Sequence, residues 1–229
     1  MKLLLFDIDL TLINTAGAGR RAMIYAFEDL FGTQDGMSHA DFAGRTDTGI
    51  LKDALHRQAL DWSSEIEEKF KQAYFENLKR ELRQPNPKKR VLPGILEILD
   101  ILATHPKLKF GLLTGNWREG ARIKLEHFNI YHYFCFGAFS DDSGIRSELP
   151  QIAARRFEQI IGQTVSPNDV YVIGDTPHDV ACSRPFGAKS VAVATGLYSY
   201  DQLQAAHPDF LFHDLSDCQI FLHLFNEMK

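Results

Sequence analysis

The sequence predicts an α/β fold, a parallel sheet covered by helices on both faces and interrupted by an all-helical insertion. Three observations carry this reading. Short continuous apolar runs recur at 3–6, 109–113, 134–139, 170–173, 191–194 and 210–212. Helical patterns separate most of them, at 94–104, 119–128, 150–161 and 178–186. Strands that are apolar throughout, rather than on alternate residues, are buried on both faces, and helices between them supply the crossovers that parallel pairing needs. The third observation is a gap. From the first run to residue 109 there are about a hundred residues without a strand candidate, far more than one crossover helix requires.

That gap is filled by amphipathic patterns at 16–31, 48–58 and 63–83. It closes with "RQPNPKKRVLPG", a proline-rich basic stretch that reads as a return linker. The expected organisation is therefore a discontinuous core of residues 1–15 and 88–229, with residues 16–87 inserted as a helical domain. The Lys88-Lys89-Arg90 cluster reads as a solvated linker against an acidic background.

Composition narrows the function classes. With 229 residues, 45% apolar and 24% charged, the chain has ordinary globular usage and enough length for a sizeable core. A formal net charge of -5 gives no footprint for nucleic acid or an anionic membrane surface, so neither is expected as a partner. A small anionic substrate needs only a few local donors. Cys135, Cys182 and Cys218 form no closely spaced pair and are expected as reduced, mostly buried thiols. The opening "MKLLLF" is too short for a secretory segment and no run approaches membrane-span length, so a cytoplasmic location is expected.

The chemistry gathers where the predicted strands end, which is where ligands bind in open parallel sheets. The first run ends in Asp7-Ile8-Asp9-Leu10-Thr11, the second in Thr114-Gly115-Asn116, and the run at 170–173 in Gly174-Asp175-Thr176-Pro177-His178-Asp179. Between the last two, "SDDSGIRSELP" places Arg146 just ahead of a helix. One carboxylate after a strand is an ordinary cap or turn residue. Four at one sheet edge repel one another unless a cation neutralises them, and hard oxygen ligands of this kind suit Mg²⁺ with a substrate phosphate and water. No D-x-D-x-D-G loop supports a calcium-buffering alternative.

"DIDLT", "LLTGN", the isolated basic residue and "GDTPHD", in this order, resemble the four motifs of the haloacid dehalogenase-like phosphohydrolases. The resemblance spans nearly the whole chain and implies a Rossmann-like core with a helical cap in place of the insertion. "GRTDTGIL", residues 44–51, is similar to the cap segment of phosphoglycolate phosphatase-like members. The resemblance implies that Asp7 is the nucleophile that becomes an aspartyl-phosphate. Asp9 is then the acid that protonates the leaving oxygen and the base that activates water. Mg²⁺ would be held by the Asp7 side chain, the Asp9 backbone carbonyl and Asp175, with Asp179 supporting it directly or through water. Thr114, Gly115 and Asn116 would bind the phosphoryl oxygens, Arg146 would stabilise transition-state charge, and Arg45 would read an anionic leaving group.

Two positions depart from the family pattern. Leu10 stands where glycine is usual, and Arg146 stands where lysine is usual. Lys124, Arg155 and Arg156 are the fallback candidates for the basic role given to Arg146 and are otherwise expected at the surface, with His178 at the solvent side of the site. The expected activity is a Mg²⁺-dependent phosphatase for a small phosphorylated metabolite, phosphoglycolate among them. Asp9 argues against a dehalogenase, which has no leaving group to protonate, and against a receiver-type phosphoacceptor module, which keeps its aspartyl-phosphate. A sugar phosphomutase of the same family remains an alternative.

Overall fold

The computed structural model describes residues 1–226. Six parallel strands form the main sheet in the order β5-β4-β1-β6-β7-β8. These are β1 (Lys2–Phe6), β4 (Leu108–Leu113), β5 (Gly137–Ala138), β6 (Val170–Gly174), β7 (Lys189–Val193) and β8 (Phe210–Phe212). Register is set by apolar pairs such as Leu5 with Gly111 and Val172. From β1 the chain moves outwards on one side through β4 and β5, then returns to β6 on the other side. The switch point lies at the carboxyl end of β1.

Successive β1 side chains separate the two helical layers, as a period of two demands. Leu4 and Phe6 pack with α5 (Ile95–Thr104), α6 (Arg118–His127) and α10 (Cys218–Asn226), while Leu3 and Leu5 pack with α7 (Leu149–Ile161) and Cys182 of α8 (Pro177–Ser183). Helix α9 (Tyr200–Ala205) lies over β7 and β8. The run at 134–139 yields only the two-residue β5. Phe134 and Phe136 anchor opposite layers, and a turn of 3₁₀ helix at Tyr131–Tyr133 occupies the approach. The short strand keeps this sheet edge from presenting a long pairing surface. All three cysteines are free thiols, Cys182 and Cys218 buried and Cys135 exposed, in line with the expectation of mostly buried thiols.

The insertion is helical throughout. It comprises α1 (Ala18–Phe31), the short α2 (Asp35–Ser38), α3 (Asp47–Arg57) and α4 (Ser64–Arg83). Thr46 and Ser63 cap α3 and α4 with side-chain oxygens that accept N–H bonds from Gly49 and Ile66. Two very short strands, β2 (Ile13–Asn14) and β3 (Arg90–Val91), pair antiparallel and bring the entry and exit of the insertion together. Two residues each are too few to show a pattern, so this ribbon is invisible to periodicity.

The apolar core of the insertion does not close on itself. Phe27, Phe70 and Tyr74 surround Trp117, which belongs to the loop after β4 and is fully buried. Trp117 meets Phe70, Tyr74 and Phe75 edge-on, with ring centroids 6.0, 5.7 and 6.5 Å away. Its indole N–H donates to Thr48 Oγ1 at 2.9 Å and Glu67 Oε1 at 3.2 Å, and its backbone N–H donates to Asp47 Oδ2 at 2.8 Å. One side chain thus completes the helical layer and fastens it over the carboxyl edge of the sheet. Trp117→Ala should lower the unfolding free energy by about 3–5 kcal/mol, the usual cost of emptying so large a buried site. Urea denaturation monitored by far-UV circular dichroism checks this, and a loss under about 1 kcal/mol would show that the tryptophan does not carry the junction.

Candidate active site at the carboxyl edge of the sheet

Three carboxylates, from two strand ends and the helix that follows one of them, converge on one point. Asp7 follows β1 and its backbone N–H donates to Ile173 O at 2.9 Å, which extends the ladder and aims the side chain into the crevice. Asp175 follows β6. Asp179 sits in the first turn of α8, where Thr176 caps the helix and donates both N–H and O–H to Asp179 Oδ2 at 3.0 and 2.7 Å. Oxygens of Asp7, Asp175 and Asp179 lie within 4.8 Å of one another, and all three residues are buried. Gly196 makes this possible for Asp175, since a Cβ there would stand 1.8 Å from its Oδ2.

Burial drives the electrostatics. It pushes Asp7 up to about 6, against the pull of the Arg146 guanidinium and with help from the charges of Asp179 and Asp9. Asp175 is raised well above the ordinary carboxylate range, by burial first and then by Asp179 and Asp7. Arg146 leads the 3₁₀ turn Arg146–Glu148, which runs straight into α7, so its side chain turns inwards. It pairs with Asp179 and lies 3.4 Å from Asp7 Oδ1. Burial works against its charge, but the carboxylates of Asp179 and Asp7 outweigh that penalty and hold it protonated. Its Nε is the one buried side-chain nitrogen or oxygen without a hydrogen-bond partner among the described residues.

Asp9 stands on the cavity side of this cluster. Asn116 Nδ2 donates to Asp9 Oδ2 at 2.9 Å and to Thr114 Oγ1 at 2.7 Å. Thr114 therefore accepts from Asn116 and keeps its own proton for another acceptor. Lys124 Nζ lies 2.6 Å from Asp9 Oδ2 and 2.5 Å from Asn116 Oδ1. The sequence reading placed Lys124 at the surface, but it is 4% exposed. The signal was available: Ala121, Lys124 and Phe128 share one helical stripe, so this lysine interrupts an apolar face of α6. Arg155 is exposed, and Arg156 pairs in a fork with Asp142, both away from the acidic cluster.

Above these groups opens a cavity of about 770 Å³ between the sheet edge and the helical layer. Asp7, Asp9, Gly115, Asn116, Arg146 and Asp175 line its sheet side. Arg45 also lines it, but its guanidinium is committed to Asp53 at 2.6 Å. Gly115 O accepts the Asp47 N–H at 2.7 Å, and a Cβ on Gly115 would come within 2.0 Å of Arg45 O. Glycine is the residue that lets these two loops touch. His178 is exposed, as expected.

Residues 4–193 match the model of the haloacid dehalogenase-like hydrolase family. The chain belongs to that family. It is 25% identical to the "Probable phosphatase IndB" of Dickeya dadantii over 94% of this chain and 90% of that protein. It is 24% identical to the phosphoglycolate phosphatase of Aquifex aeolicus, over 95% and 94% of the two chains. A solved hydrolase from Pseudomonas syringae shares the fold with a TM-score of 0.73 at 21% identity, each chain covered in full. The α/β core is thus the fold of this hydrolase family.

Asp47 supplies a pH test of the junction between the layers. Burial raises it to about 7, chiefly against the pull of Lys124. The folded state therefore holds a proton that the unfolded chain releases near the ordinary value of 3.8. Its contribution to stability is full at low pH and is lost as pH rises from about 4 to about 7. Asp47→Asn keeps an acceptor for the Trp117 N–H but cannot ionise. The variant should melt several degrees above the wild type at pH 8, and that advantage should vanish near pH 4. Thermal melts across this range check it, and a difference independent of pH would contradict it.

Proposed function

We propose that this hydrolase is a Mg²⁺-dependent phosphomonoesterase that works through an aspartyl-phosphate on Asp7. The observation that carries the reading is the pairing of two unlike carboxylates. Asp7 is buried in the acidic cluster beside Arg146, whereas Asp9, two residues on, faces the cavity and is held by Asn116 and Lys124. A nucleophile next to a positioned acid and base is what phosphoryl transfer to a carboxylate and then to water requires. The names of the curated relatives, a phosphatase and a phosphoglycolate phosphatase, support the same reaction class.

The donor set suits a hard divalent cation. Asp7, Asp175 and Asp179 offer only oxygen, and burial first, then mutual crowding, raises the proton affinity of Asp7 and Asp175, a charge penalty that a cation would relieve. Asp7, Asp175 and the Asp9 backbone carbonyl would hold Mg²⁺, with Asp179 behind them. When bound, the ion would offset the negative charge of carboxylate and phosphate. The chain's own groups do the rest. Asp7 attacks phosphorus while Asp9 gives its proton to the departing alkoxide. Thr114 and the unpaired Nε of Arg146 offer donors to the phosphoryl oxygens. Asp9, now ionised, takes a proton from water, which releases phosphate and restores Asp7. Residues 16–87 would act as the cap over this step, excluding bulk water and reading the leaving group.

Asp7→Asn should abolish turnover of every phosphate ester, because an amide cannot become an acyl phosphate. Asp9→Asn should slow phosphorylation by an alkyl phosphate about 10²–10⁴-fold, and p-nitrophenyl phosphate far less, since p-nitrophenolate hardly needs a proton. The second step still lacks its base, so acid-quenched Asp9→Asn should carry one phosphoryl group by intact mass. Equal slowing of both esters with no phosphoryl-enzyme would overturn the role of Asp9.

Activity should also require Mg²⁺ and be supported poorly by Ca²⁺, whose longer bonds and higher coordination number suit this compact cluster badly. Steady-state assays with each ion and with excess chelator check this. Full activity in chelator would remove the metal assignment.

A further inference from the structure

The cavity is built for more than a two-carbon acid. It holds about 770 Å³, within the range of about 300–1,000 Å³ that encloses drug-sized ligands. Its lining carries an apolar share, Leu10 and Leu197 from the core with Met23, Phe42, Ile50 and Tyr74 from the insertion, beside polar residues such as Asn14, Asn86 and Tyr198. The cations near the reacting end are committed. Arg45 pairs with Asp53, Lys124 bridges Asp9 and Asn116, and Arg146 serves the acidic cluster. Arg20, further out, lies over the Phe42 ring at 5.2 Å and donates to Ser38 O. Lys88, from the return segment, lines the cavity as well.

Leu10 is the second, independent observation. Its φ is 59°, in the left-handed region that strains a residue with a branched side chain. Its backbone is fixed in that state, with its N–H donating to Ile13 O at 2.7 Å and its carbonyl accepting from Thr195 Oγ1 at 2.6 Å. Glycine would adopt this turn without strain. The leucine instead adds a side chain to the lining of the cavity that Asp9 also lines.

We infer that the preferred substrates are phosphate monoesters of alcohols with a ring-sized or larger apolar body, and that Leu10 is a specificity residue for that body. This rests on the phosphatase reading above. The test uses primary alkyl phosphates with similar leaving-group basicity: ethyl, butyl, hexyl and benzyl phosphate, with phosphoglycolate beside them. In the wild type kcat/KM should rise by about tenfold or more from ethyl to benzyl phosphate, the scale of a few methylenes in an apolar pocket, and phosphoglycolate should fall below benzyl phosphate. In Leu10→Gly, whose turn stays unstrained, the benzyl-to-ethyl ratio of kcat/KM should fall several-fold. A flat series, a preference for phosphoglycolate, or an unchanged ratio in Leu10→Gly would overturn the inference while leaving the phosphatase reading intact. No turnover of any ester, p-nitrophenyl phosphate included, would overturn that reading and the inference with it.

Discussion

Asp7, Asp9, Asp175 and Asp179 converge at the switch point of the sheet, against the two cations Arg146 and Lys124. Like charges in so dry a place are costly, and much of the surrounding structure exists to hold them there. The ladder bond from Asp7, the capping box at Thr176 and the absence of a side chain at Gly196 each remove an alternative position for a carboxylate. Arg146 is inserted from a different crossover, so the cluster also ties α7 and α8 to the strand ends.

The helical layer answers the same constraint from above. Trp117 and Asn116 are neighbours in one loop, yet they face opposite ways. Trp117 completes the apolar core of the insertion, and Asn116 orients Asp9 and Thr114. Position of the insertion and position of the acid are therefore set by the same few residues of backbone. One peptide unit joins the residue that fills the helical layer to the residue that holds Asp9.

The sheet was legible because β1, β6 and β7 are buried on both faces and read as unbroken apolar runs. The acidic ends were legible because polar residues after such runs have few structural reasons to cluster. Arg146 could be named because one basic residue stood alone before a helix, although only the fold shows that it reaches Asp7 and Asp179 together. The ribbon of β2 and β3 was hidden by its length. Lys124 was misread because lysine is seldom buried, and its place in the apolar stripe of α6 carries meaning only once Asp9 is known to lie opposite. Arg45 lines the cavity, and its salt bridge to Asp53 was beyond what spacing reveals.

The account stands on the acidic cluster being a site for a divalent cation. Isothermal titration of Mg²⁺ into the protein, in buffers of different ionisation enthalpy, measures both binding and the protons displaced. One ion per chain should bind, with more proton release at pH 6, where Asp7 is partly protonated, than at pH 8. Asp175→Asn should abolish that binding. Absence of saturable binding, or binding untouched by Asp175→Asn, would contradict the account at its foundation.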